Sequence, residues 1–234
     1  MTLARRLTAE GVGTALLLAG VVGSGIMGER LAGGNVALAL LANTLATGAV
    51  LVALILTFGP ISGAHFNPAV TLTDAWQGGL AWRDVPGYVM VQIIGAFVGV
   101  AVAHLMFEHP LFALSPHTRT GAAQLLSEFV ATFGLLAVIR GCGPRQATAF
   151  AVGAYIAAAY WFTASTSFAN PAVTLARAAT DTFAGIRPAD APGFIGAQLV
   201  GAVAATALFR WLLPPSVPAA IKVVSGSARA SAQR

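Results

Sequence analysis

Two asparagines stand in matching settings, Asn67 in FNPAVTL at 66–72 and Asn170 in ANPAVTL at 169–175. The chemistry open to them is hydrogen bonding rather than bond breaking. Asn suits the N-cap of a helix, Pro68 and Pro171 suit its first turn, and small Ala69 and Ala172 allow close contact. If each side-chain oxygen accepts from the N–H groups of its own helix, each NH₂ remains to donate. Two such helix starts brought together would turn positive dipole ends and amide donors toward one lumen. A neutral solute with an oxygen can be held there. A cation meets an unfavourable field, and a single water oriented as an acceptor interrupts a proton relay. No nucleophile–base pair or ligand cluster shares a plausible site, so the chain does not read as an enzyme and no cofactor or metal is implied. The lone Cys142 excludes an intrachain disulfide framework and a multi-thiolate metal site.

The elements that must position these asparagines are apolar. The chain has 234 residues, 57% hydrophobic and 9% charged, with mean hydropathy +0.78. A soluble domain carries about 25% charged residues, so too little polar surface is present to cover a soluble globule and lipid is the expected solvent. The net charge of +5 does not point to nucleic acid, because the 13 Lys and Arg are scattered between apolar spans rather than clustered. No cleavable signal peptide is evident. Six stretches approach the ~20 apolar residues that cross a bilayer: 8–28, 35–58, 86–107, 122–140, 146–164 and 191–213. Two shorter pieces, 67–77 and 170–180, read as helices that reach only half-way and must be buried in protein or line a cavity. With six spans both termini share one side. Lys and Arg divide nine to four in favour of that side, so the termini are expected in the cytoplasm and the chain as a multi-pass protein of the inner (plasma) membrane. The segment 218–234 reads as a polar, mobile C-terminal tail.

The halves repeat each other. Glu10 precedes Thr14 by four residues, as Glu128 precedes Thr132, and PGYVMVQIIGA at 86–96 matches PGFIGAQLVGA at 192–202, pairing Gln92 with Gln198 and Gly95 with Gly201. Three full spans per half is odd, so the second half enters from the opposite face. The chain is expected to be a single channel domain over 1–234, built from inverted repeats at about 8–107 and 122–213.

The paired Asn-Pro-Ala boxes, the ExxxT on the first and fourth spans, and SGAHFNPAVT at 62–71 resemble the aquaporin and aquaglyceroporin (major intrinsic protein) family, over roughly residues 8–213. The resemblance implies an all-α membrane bundle of six transmembrane helices and two re-entrant half-helices, one pore per subunit, and a homotetramer. It implies that Glu10 and Glu128 brace the re-entrant loops, and that His65 faces the inner pore, a packing histidine being the alternative. His104, His109 and His117 have no spacing that supports a metal or pH role.

The chain departs from that family at its filter. Most members follow the second box with arginine; here the residue is Val173. Counting back from Asn170 and Asn67 puts the other filter positions at Thr47, Ala158 and Ser167, all small or medium-sized and uncharged. Losing a guanidinium removes five N–H donors and a permanent charge, so a wider, less polar constriction is expected. Arg177, four residues on, either restores positive potential at the mouth or is a surface or loop-packing arginine. Thr174 stands where glycerol channels carry aspartate. The expected function is passive passage of small neutral solutes: arsenite- and antimonite-type hydroxides, methylated forms included, glycerol and some water. The second box resembles that of bacterial aquaglyceroporins associated with arsenic resistance. The alternative is mainly a water channel with an atypical filter. An ion-coupled carrier would need coupling carboxylates near the boxes, where only Asp74 and Asp181 occur, both near a membrane face.

Overall fold

A computed structural model describes residues 1–213. The polar tail expected at 218–234, with the Lys222, Arg229 and Arg234 counted for orientation, lies outside the described residues. The architecture is all-α: α1 (Leu3–Leu31), α2 (Val36–Ser62), α3 (Pro68–Trp76), α4 (Val85–Met106), α5 (Ala122–Gly141), α6 (Arg145–Phe162), α7 (Pro171–Arg177) and α8 (Ala191–Leu212). Among the described residues it is a bundle of six long helices with two re-entrant half-helices, arranged as an inverted repeat.

Local chemistry sets the ends. Thr2 caps α1, accepting from Arg5 N at 3.4 Å, and Asn35 caps α2, accepting from Leu38 N at 3.1 Å. Gly63, at φ 99°, closes α2 in the left-handed conformation that lacks a steric penalty only for glycine. Among the described residues, five helices are long and apolar enough to cross a membrane: α1, α2, α5, and α4 and α8 with the short turns that lead into them. The sixth, α6, has 18 residues and begins with Arg145 and Gln146. Nine residues in α3 and seven in α7 span only about 10–14 Å, as half-helices must.

Packing depends on small residues. α1 lies against α4 and α5 against α8, the equivalent pair in the other half. A Cβ at Gly95 would strike the carbonyl of Gly11, and one at Gly201 that of Phe129. At these two positions the backbones approach so closely that only glycine fits. α2 meets α6 in the same way, Gly48 against Gly153. Both half-helices wedge between α4 and α8. The outer surface is apolar, with Leu16, Leu45, Met90, Ile94, Val98 and Val203 all exposed. An apolar girdle of this extent is the face a bilayer solvates.

Candidate functional site

Each half-helix begins from a strained turn. Ala64 and Phe66 have φ of 53° and 48°, and Ser167 and Ala169 have 51° and 48°, so the residues one and three before each asparagine share the left-handed region. Such conformations cost about 1–3 kcal/mol each for residues with a side chain. They persist where surrounding contacts over-determine them. Here those contacts are two buried carboxylates. Glu10 accepts from His65 N at 3.0 Å, Phe66 N at 2.7 Å and Ser62 Oγ at 2.6 Å. Glu128 accepts from Phe168 N and Ala169 N, both at 2.9 Å.

A glutamine completes each cradle. Gln92 Nε2 donates to Glu10 Oε2 and Thr71 Oγ1, both at 2.9 Å. Gln198 Nε2 donates to Glu128 Oε2 at 2.6 Å and Thr174 Oγ1 at 2.8 Å. Sequence comparison of the halves pairs the two glutamines but does not reveal what they hold. The threonine of ExxxT is not the partner of the glutamate side chain, since Thr14 Oγ1 instead donates to the backbone carbonyl of Glu10 at 2.7 Å. Thr174, in the place of the glycerol channels' aspartate, is one of the hydroxyls gripped by this network.

The asparagines cap their helices as their sequence setting predicts. Asn67 Oδ1 accepts from Ala69 N at 2.9 Å, and Asn170 Oδ1 accepts from Ala172 N at 3.0 Å and Val173 N at 3.3 Å. Their amides are not wholly free, however. Asn67 Nδ2 donates to Ala169 O and Asn170 Nδ2 to Phe66 O, each at 2.8 Å. One N–H of each amide therefore ties the two halves together and one remains.

Both asparagines line a cavity of about 390 Å³. Toward the α3 side the lining includes His65, Asp74, Arg140 and Arg6, and toward the α7 side Thr47, Tyr160, Ser167, Val173 and Arg177. His65 lines the cavity, its ring 5.5 Å from that of Tyr88 and its Nδ1 3.2 Å from Thr71 Oγ1. His65 Nε2 is 3.6 Å and Arg140 Nη1 3.9 Å from the Asp74 carboxylate, a charged cluster at this end that the sequence does not announce. His104 is a buried packing residue, its Nε2 2.7 Å from Thr180 Oγ1.

Three of the four counted filter residues, Thr47, Ser167 and Val173, are buried and line the cavity. Ala158 does not, since it is exposed on the outer face of α6. The face of α6 turned inward carries Val152, Ile156 and Tyr160, at the four-residue spacing of one helical face. Two residues are about 200° of rotation on a helix, so a count in error by two turns the side chain from lumen to exterior. Tyr160 lines the cavity instead, its hydroxyl donating to Thr47 Oγ1 at 3.2 Å. An aromatic ring thus lines the cavity where a methyl group is expected, and the lining is not built only of small side chains. The one signal in sequence was its position four residues after Ile156.

Arg177 is not a surface residue. It is 2% exposed, lines the cavity, and sits with its Cζ 3.4 Å from the Phe168 ring centroid while Nε donates to Ala184 O.

The sequence signature of the family described as Major intrinsic protein matches residues 1–146 and again 143–233. The aquaglyceroporin AqpS of Rhizobium meliloti (strain 1021) is 59% identical over 218 residues, covering 92% of this chain and 93% of that protein. A probable glycerol uptake facilitator protein of Thermotoga maritima is 39% identical over 100 residues, covering 38% of this chain and 43% of its own. Among solved structures, the aquaglyceroporin from Plasmodium falciparum superposes with a TM-score of 0.66 at 22% identity, over 89% of this chain and 94% of that one, a likeness of fold.

Proposed function

The chain belongs to the major intrinsic protein family, and from that premise we propose a passive pore for small neutral solutes, with glycerol and water among them. The observation that carries this reading is the single cavity in which Asn67 and Asn170 both stand, each with one amide N–H beyond the bond that ties the halves. Those donors and the two convergent helix starts suit a solute oxygen and disfavour a cation. The names of the relatives, an aquaglyceroporin and a glycerol uptake facilitator, agree with that solute class.

The finer reading is that the pore also passes arsenite- and antimonite-type hydroxides, including methylated forms. Its support is Val173, whose apolar side chain lines the cavity where most of the family carry arginine. Arsenous acid is a compact neutral triol with glycerol's pattern of donors, and a methyl group suits an apolar wall. In this reading Thr47, Tyr160, Ser167 and Val173 form the filter, Asn67 and Asn170 the central restriction, and Glu10 and Glu128 the supports of the loops. The pore is one domain per subunit, assembled as a homotetramer in the inner membrane with both termini in the cytoplasm.

A mainly water-conducting pore is the second reading, and Tyr160 favours it, because its ring beside Thr47 narrows the constriction for bulkier solutes. Stopped-flow swelling and uptake in proteoliposomes decide between them. Glycerol and arsenite entry well above that of empty vesicles supports the first reading. Water flux without either supports the second, and no flux of any kind overturns both.

A further inference from the structure

Resting on the pore reading, we infer that Arg177 supplies from one helical turn away the positive charge that position 173 lacks, and so keeps cations out of a pore whose filter box ends in valine. Side chains on a helix lean toward its N-terminus, so each covers the turn before its own Cα. Arg177 lies four residues C-terminal to Val173 in α7, and a long arginine reaching back along that face carries its head toward the level of the valine. Both residues line the same cavity, together with Thr47, Tyr160 and Phe168.

The head is held, and its charge is left unpaired. Nε donates to the carbonyl of Ala184, and the guanidinium lies flat enough on Phe168 to bring Cζ within 3.4 Å of the ring centroid. A guanidinium, weakly hydrated and planar, tolerates such a perch on an aromatic face better than an ammonium would. Among the described residues its Nη groups have no hydrogen-bond acceptor and it forms no ion pair. The carboxylates of this end are committed elsewhere: Glu128 to the N–H groups of Phe168 and Ala169 and to Gln198, Asp190 to Arg187 and Arg119 N, and Asp181 beside His117. A second guanidinium, that of Arg119, lies 5.1 Å from the same Phe168 ring, held by the carbonyls of Gly185 and Ser165. Among the described residues no carboxylate lines the cavity at this end, and Glu128, whose charge acts on the guanidinium, is held by the loop N–H groups and Gln198. A fixed cation in a narrow, poorly screened passage raises the barrier to other cations and leaves donors for a solute oxygen.

The test measures Na⁺ and K⁺ leak, glycerol uptake and water flux of the reconstituted protein side by side. Wild type is expected to pass glycerol without cation leak above protein-free bilayers. Arg177→Met raises cation leak at least tenfold, Arg177→Lys keeps the pore tight, and adding Val173→Arg to Arg177→Met restores tightness. Phe168→Leu keeps the Ala184 bond but removes the ring that fixes the head, and also leaks; it serves if Arg177→Met does not fold. Leak through wild type, a tight Arg177→Met, a tight Phe168→Leu, or a double variant that stays leaky overturns the assignment. A protein that passes neither glycerol nor water overturns the pore reading instead.

Discussion

Asn67 and Asn170 hold each other's loops: each amide donates a 2.8 Å hydrogen bond to the carbonyl of the residue just before the other asparagine, Ala169 and Phe66. The contact that joins the two halves is therefore made by the same side chains that cap the half-helices. A change at either position acts on helix start, junction and lumen at once.

Asn170→Asp tests that coupling. An aspartate keeps the capping oxygen but cannot donate to Phe66 O, and it brings a negative charge into the lumen. The expected outcome is a rise in cation leak, or a fall in the yield of folded protein. Ion flux and thermal unfolding in detergent measure the two. Unchanged solute flux with no leak would refute a central role for the amide.

Val173→Arg should reduce glycerol and arsenite uptake more than water flux, because the added side chain fills the passage beside Thr47 and Tyr160. Parallel uptake assays check the ratio. If bulky-solute uptake survives undiminished, position 173 does not govern selection.

Tyr160 and Ala158 make a paired test of the constriction. Tyr160→Ala should raise glycerol flux relative to water by removing the ring next to Thr47. Ala158→Val, on the exterior of α6, should leave the flux ratio unchanged. The reverse result would restore Ala158 to the filter.

Glu128→Ala should orphan the buried N–H groups of Phe168 and Ala169 and the amide of Gln198. A buried donor left unsatisfied costs about 1–3 kcal/mol, so a large drop in thermal stability is expected, with Glu10→Ala behaving alike. A melting temperature within a degree or two of wild type would show that the loops hold their strained turns without the carboxylate.

The sequence alone determined the solvent, the helix count, the half-length pieces and the pairing of the two boxes. These are composition and periodicity, and a nonpolar bilayer leaves few structures that satisfy every backbone N–H. The caps on Asn67 and Asn170 were legible for the same reason, being made within a few residues of chain. Tertiary structure decided which side chains face the lumen. Ala158 and Tyr160 differ by two residues, and only the rotation of α6 against α2 chooses between them. The bond between Asn67 and Ala169, the grip of Gln198 on Glu128, and the perch of Arg177 on Phe168 likewise depend on where the packed backbones bring distant or neighbouring segments. Hydrogen bonds and cation–π contacts fall off over fractions of an ångström to a few ångströms, a precision that spacing along a chain does not carry.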